Sequence, residues 1–93
     1  MATPPNSVLT DFSVRQQPIS DTSRILTNIG LILATIGEHE RAVENFHRAT
    51  ELDNYLAIAY FQGGVSNFLL SQYEEAYEQF ETAFMWLRGN QAM

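Results

Sequence analysis

The chain contains no cysteine and no lysine among its 93 residues. Without cysteine, disulfide bonds and thiolate metal sites are excluded, which fits a reducing compartment. Because lysine is absent, the five basic residues are all arginine. The chain has 11 acidic residues, and its formal net charge is −6. Because each phosphate contact needs local positive charge, this composition argues against nucleic acid and anionic membranes as partners and favours a basic protein surface.

Long hydrophobic runs are also missing. The most apolar stretch, residues 29–36 (IGLILATI), is far shorter than the roughly 20 residues that span a bilayer. The first residues contain no apolar segment typical of a signal peptide. We therefore predict a cytoplasmic protein without a transmembrane segment.

Catalytic motifs are absent from the sequence as well. It has no phosphate-binding loop and no paired histidine and carboxylate beside a nucleophile. Its two histidines, His39 and His47, are eight residues apart, which is not the spacing of ligands on adjacent helical turns. We expect both histidines to be exposed, and we predict no enzymatic activity, no metal and no cofactor.

Proline divides the chain into two parts. All three prolines lie in residues 1–19, where no helical period is visible and Pro18 would interrupt one. We predict a flexible tail over residues 1–19 and a single helical domain over residues 20–90.

An internal repeat fills the predicted domain. Small and aromatic residues recur 34 positions apart, and the pairs are Gly30 and Gly64, Ala42 and Ala76, Phe46 and Phe80, and Ala49 and Ala83. A helical repeat of this length is typical of the tetratricopeptide repeat (TPR). Because glycine inside a helix costs about 1 kcal/mol relative to alanine, its recurrence indicates that another helix approaches closely.

The pattern predicts an all-α fold of two helix-turn-helix hairpins, with repeats at about residues 21–54 and 55–88. The first helix should begin after Asp21 or Thr22 and end at Gly37. The other three should cover about residues 38–52, 55–70 and 72–87, and Gly89 should follow the last helix as its C′ residue. Apolar residues of the last helix are expected to face inward, namely Ala76, Tyr77, Phe80, Ala83 and Phe84.

A narrower resemblance lies in the second repeat. The segments LAIAYFQGGVSNFLL (residues 56–70) and WLRGNQ (residues 86–91) are similar to the N-terminal TPR region of the cytosolic activator subunit of NADPH oxidases, especially the fungal NADPH oxidase regulator. DTSRILTNIG (residues 21–30) and GEHERAVENF (residues 37–46) resemble the same family.

This resemblance implies a binding function and a site. In that family the TPR domain binds a GTP-loaded Rac-type small GTPase through loops at one edge, as part of the NADPH oxidase complex that produces superoxide. The matching positions here are Ser23, Asp53, Arg88 and Asn90. Two of them have simpler interpretations, because Arg88 also suits a helix C-terminus and Asp53 also suits a helix N-cap.

Two alternative functions stay open at this point. A co-chaperone-like TPR would hold an acidic peptide with basic residues in its groove, but the corresponding positions here are Thr27, Leu31, Phe61 and Val65. Alternatively the chain is a truncated fragment. Two repeats are fewer than the three or so that a stable array needs, so we expect self-association through open apolar edges.

Overall fold

Four α-helices form two antiparallel hairpins in the computed structural model of this protein, which describes the backbone of residues 18–92 and the side chains of residues 21–89. The helices are α1 (Pro18–Thr35), α2 (His39–Leu52), α3 (Ala57–Leu69) and α4 (Tyr73–Ala92). Helix α1 packs on α2, α3 packs on α4, and α2 joins the two hairpins by packing on α3. The predicted all-α fold of two TPR hairpins is confirmed.

The tail predicted over residues 1–19 lies outside the described residues, apart from the backbone of its last two positions. Those two, Pro18 and Ile19, already belong to α1. The predicted start after Asp21 or Thr22 is therefore a few residues late. Proline is accommodated in the first turn of a helix because the N–H that it lacks has no partner there.

Glycine and phenylalanine form the same contact in both hairpins. A Cβ atom added to Gly30 would lie 2.6 Å from the ring of Phe46, and one added to Gly64 would lie 2.7 Å from the ring of Phe80. Each glycine therefore lets the partner helix bring its phenylalanine against the backbone. The close approach predicted from the repeated glycines is confirmed.

Small residues of α2 and α4 line the helix contacts. Ala42 and Ala49 are 0% exposed, and Ala76 and Ala83 are 3% exposed. One core cluster joins Leu33, Ala42 and Phe46. A second joins Leu26, Ala49 and Ala59, with Leu56 packed against it, and so connects three helices across the two hairpins.

The tight turns inside both hairpins are equivalent. Gly37 has φ +88° and Ser71, 34 residues later, has φ +64°. The N–H of Glu38 donates to the Leu33 carbonyl and the N–H of Gln72 donates to the Asn67 carbonyl, each at 2.8 Å. These are the wrap-around bonds of a Schellman motif. Gly37 therefore ends the first helix as predicted.

Two predictions for the second repeat are wrong. Helix α4 continues through Gly89 to Ala92, so Gly89 is not the residue that terminates it. Tyr77 and Phe84 do not face inward, since they are 65% and 59% exposed. Their equivalents in the first repeat, Val43 and Thr50, are covered because α3 packs on that side of α2, whereas none of the described residues takes this position on α4.

Candidate functional site at the loop edge

Three of the four predicted contact residues lie at one end of the hairpins. Because successive helices run antiparallel, the start of α1, the α2–α3 turn and the end of α4 share this end. The cluster of Leu26, Ala49 and Ala59 fixes the first three helices there. We call the α2–α3 turn (residues 53–56) and the last described turn of α4 (residues 86–89) the loop edge.

Asp53 shapes the turn at this edge. It is the C-cap of α2, where its N–H donates to the Ala49 carbonyl at 2.9 Å, and its carboxylate accepts the N–H of Tyr55 at 3.1 Å. The N-cap of α3 is Leu56, which makes no side-chain cap hydrogen bond. Asp53 therefore holds the turn, and the alternative interpretation of it as the N-cap of the next helix is wrong.

The Asp53 carboxylate also influences a neighbouring tyrosine. Burial raises the pKa of Tyr60, the negative charge of Asp53 raises it further, and a hydrogen bond with Thr50 opposes both effects. Tyr60 thus remains a neutral hydroxyl beneath the edge.

Arg88 lies on the exposed side of α4. Its guanidinium carbon is 5.8 Å from the centroid of the Phe84 ring, a cation–π distance. An exposed guanidinium can bind a carboxylate or a carbonyl through two of its hydrogen-bond donors. Asn90 follows within α4, but its side chain lies outside the described residues.

An aromatic contact joins the two halves of the loop edge. The rings of Tyr55 and Trp86 meet edge to face, with centroids 4.7 Å apart and planes at 73°. The Trp86 indole N–H is shielded from solvent and has no acceptor among the described residues. The pair holds the Asp53 turn against the helical turn that carries Arg88. Sequence reasoning missed this contact, because no local pattern places a turn residue beside the end of a later helix.

Ser23 is placed differently from the other candidates. Its side chain is 0% exposed, and its carbonyl accepts the hydroxyl of Thr27, itself 4% exposed, at 2.8 Å. Ser23 lies at the same end of the hairpins, but it is part of the packed interior. Its role as a contact residue stays a prediction.

The histidines have separate environments. His39 is half-buried, and its Nδ1 lies 3.4 Å from the Ser66 hydroxyl, so the expectation that it is exposed is wrong. His47 is exposed and lies 3.2 Å from the Glu51 carboxylate. Over residues 21–89, no three side chains of the His, Cys, Asp or Glu type come together as metal ligands.

The concave positions considered for a peptide groove are mostly apolar. Thr27 is buried, Leu31 and Val65 are half-buried, and Phe61 is 45% exposed. None of the four carries the positive charge that would pair with an acidic peptide. In the described part of the chain, no helix has the length and apolar character needed to cross a membrane.

Comparison with protein families matches residues 23–56 to a tetratricopeptide repeat. The chain is 33% identical to NADPH oxidase activator 1 of Rattus norvegicus over 88 residues, which are 95% of this chain and 19% of that protein. It is 36% identical to neutrophil cytosol factor 2 of Homo sapiens over 80 residues, which are 86% of this chain and 15% of that protein.

Similarity also extends to another kind of protein. The chain is 41% identical to a photosystem I assembly protein of Acaryochloris marina over 59 residues, which are 62% of this chain and 36% of that protein. The chain spans less than a fifth of the two oxidase-related proteins. A shared fold does not by itself specify a partner.

Proposed function

This chain contains a tetratricopeptide-repeat domain homologous to NADPH oxidase activator 1 and neutrophil cytosol factor 2, and on that premise we propose that it is a non-catalytic, cytoplasmic regulator of an NADPH oxidase. It binds a GTP-loaded Rac-type small GTPase and thereby promotes superoxide production. The observation that supports this most strongly is the 33% identity to an oxidase activator over 95% of the chain, since a match of that extent includes both hairpins.

The loop edge is the surface that we propose for the GTPase. Asp53 offers a carboxylate to a basic group, and Arg88 offers a forked donor to a carbonyl or carboxylate. Asn90 adds an amide beyond Arg88. The Tyr55–Trp86 contact holds the two sides of the edge in a fixed arrangement, which lowers the cost of ordering them on binding.

Arg88→Glu tests the edge. We expect the GTP-loaded form of Rac to bind the wild-type chain more tightly than the GDP-loaded form, and we expect this variant to weaken the tighter binding about tenfold or more, because it reverses a charge at the contact. Isothermal titration calorimetry with both nucleotide states measures this directly.

The matched control is Arg41→Glu. Arg41 is also exposed, forms an ion pair with Glu38 at 3.2 Å, and lies near the other end of α2, away from the loop edge. Exposed pairs of this kind contribute little to stability, so the control should bind like the wild type. Equal binding to both nucleotide states, or equal weakening by both variants, would count against the proposed surface.

Ser23→Ala separates two roles for the buried hydroxyl. If Ser23 contributes to GTPase binding, the folded variant binds the GTPase more weakly than the wild type, whatever its melting temperature. If Ser23 serves packing alone, the melting temperature falls and the folded protein binds normally.

A further inference from the structure

One face of α1 exposes a row of isoleucines. Its members are Ile25, Ile29, Ile32 and Ile36, which are 58%, 40%, 62% and 64% exposed. The equivalent positions of the second repeat, 34 residues later, are Ala59, Gly63, Ser66 and Leu70. The first three of these are buried and Leu70 is half-buried. We call the four isoleucines the isoleucine face. It is exposed on α1, whereas the equivalent face of α3 is buried.

The contacts of α3 show what covers such a face. Ala59 packs against Leu26 and Ala49. Ser66 lies against His39, and a Cβ atom at Gly63 would stand 3.4 Å from the Cβ of Phe46. The covering surface is thus the side of the preceding hairpin formed by α1 and α2.

The second hairpin exposes its own version of that covering surface. Thr27 and Thr50, on the covering side of the first hairpin, are 4% and 8% exposed, whereas their equivalents Phe61 and Phe84 are 45% and 59% exposed. Grooves of about 280 and 450 Å³ run along this side. We call it the aromatic face, and its large lining residues are Ile58, Phe61, Phe80, Phe84 and Leu87.

We propose that the isoleucine face of one copy of this chain docks on the aromatic face of a second copy, continuing the stacking seen between its own two hairpins. The residues of both faces are uncharged. In the repeat, the isoleucine face corresponds to the α3 side of the junction between the two hairpins, and the aromatic face corresponds to its α1–α2 side. Each contact covers the isoleucine face of one copy and the aromatic face of the other, so further copies are needed to cover both faces of any one copy. Because the faces lie at opposite ends of the stack, the association is head to tail and does not close at a dimer.

Two single variants, Ile32→Glu and Phe84→Glu, test this docking because each blocks a different face. Both positions are exposed in the monomer, so both variants should keep the wild-type circular dichroism spectrum. Sedimentation velocity should show wild-type particles that grow past the dimer with concentration. Each variant alone should remain monomeric, while an equimolar mixture should form a heterodimer and nothing larger, because one unblocked face remains on each partner.

Thr35→Glu is the control on the same helix. Thr35 is exposed and lies about a quarter of a turn from the isoleucine face, so this variant should assemble like the wild type. If either blocking variant unfolds, Ile32→Ser or Phe84→Ser replaces it. A wild-type chain that is monomeric at all concentrations, that stops at a closed dimer, or that assembles only after removal of residues 1–17 would overturn the proposal, as would a mixture that remains monomeric.

Discussion

At the scale of single residues, the turns inside the two hairpins have the same geometry but different residues. The left-handed backbone conformation occurs at Gly37 in the first turn and at Ser71 in the second. Glycine adopts it without a steric penalty, whereas a residue with a Cβ atom loses roughly 1 kcal/mol there. The second turn is therefore the more strained of the two.

Ser71→Gly should stabilise the domain by about 1 kcal/mol, because it removes this penalty and keeps the hydrogen bonds of the turn. The reciprocal change Gly37→Ser should destabilise it by a similar amount, and it introduces no clash, since nothing lies within 4 Å of a Cβ atom at Gly37. Urea unfolding followed by circular dichroism gives both values. A Ser71→Gly variant no more stable than the wild type would contradict the strain assigned to the turn.

The two helical glycines should respond unequally to alanine. Alanine is favoured over glycine inside a helix by about 1 kcal/mol, but its methyl group would overlap the ring of Phe46 or Phe80. Phe46 is 1% exposed and packs in a core cluster, whereas Phe80 is half-buried. Overpacking costs about 1–3 kcal/mol, so after the helix gain is subtracted we expect Gly30→Ala to lower the free energy of unfolding by up to about 2 kcal/mol and Gly64→Ala to change it less.

Thermal and urea unfolding of the two alanine variants check this order. If Gly30→Ala stabilised the domain, the close contact with Phe46 would be refuted. If both variants lost the same stability, the difference in packing between the two hairpins would be refuted.

Sequence reasoning performs well for residues that recur and poorly for those that do not. The paired glycines, alanines and phenylalanines predict the contact between helices because the same steric need appears at both members of each pair. Ser71 lies 34 residues after Gly37 but escapes such reasoning, since a serine does not indicate a left-handed backbone conformation. Tyr55 escapes for another reason, because its partner Trp86 is far away in the sequence.

At the scale of helices, the ends are less predictable than the helices themselves. All four helices follow from the spacing of apolar residues, but α1 begins before the expected cap and α4 passes through Gly89. Proline is tolerated in the first turn of a helix, and glycine is tolerated inside a helix at some cost. Neither residue by itself therefore marks where a helix begins or ends. The inward direction predicted for Tyr77 and Phe84 fails because which face of α4 is covered depends on a neighbouring hairpin and not on periodicity.

Gly89→Ala distinguishes a continuous α4 from a helix that stops at Leu87. Within a helix alanine is better than glycine by up to about 1 kcal/mol, and at Gly89 a Cβ atom would meet nothing within 4 Å. We therefore expect greater helicity and slower amide exchange over the last turns of α4. If Gly89 were instead the C′ residue in a left-handed conformation, the same substitution would lower stability.

At the scale of the whole molecule, the two hairpins are not equally protected. Helices α2 and α3 lie between neighbours, whereas α4 contacts α3 on one side and exposes large apolar residues on the other. The phenylalanine of the first hairpin is buried and that of the second is half-buried. Such packing favours local opening of α4 before the rest of the domain unfolds.

Native-state hydrogen exchange should therefore show α4 opening at a lower free energy than α2, by about 1 kcal/mol or more. Measurement at low protein concentration, or on the Phe84→Glu variant, removes any protection that stacking adds. Equal protection of all four helices under those conditions would mean that the domain unfolds as one cooperative unit.

The proposed binding surface depends on the whole molecule in a way that local patterns do not capture. Asp53 and Arg88 are far apart in sequence, and the antiparallel order of four helices brings them to one end. The resemblance to oxidase activators, and not periodicity, is the basis on which both positions are proposed. Ser23 illustrates the opposite case, since a match in sequence does not reveal that the side chain is buried.

The position of Trp86 gives this protein an intrinsic spectroscopic probe. It is the chain's sole tryptophan, and its indole rests on Tyr55 at the loop edge. Fluorescence emission therefore reports on detachment of α4 and on any ligand that seats beside Arg88. An unfolding curve recorded by emission and one recorded by circular dichroism would separate if the second hairpin melts first.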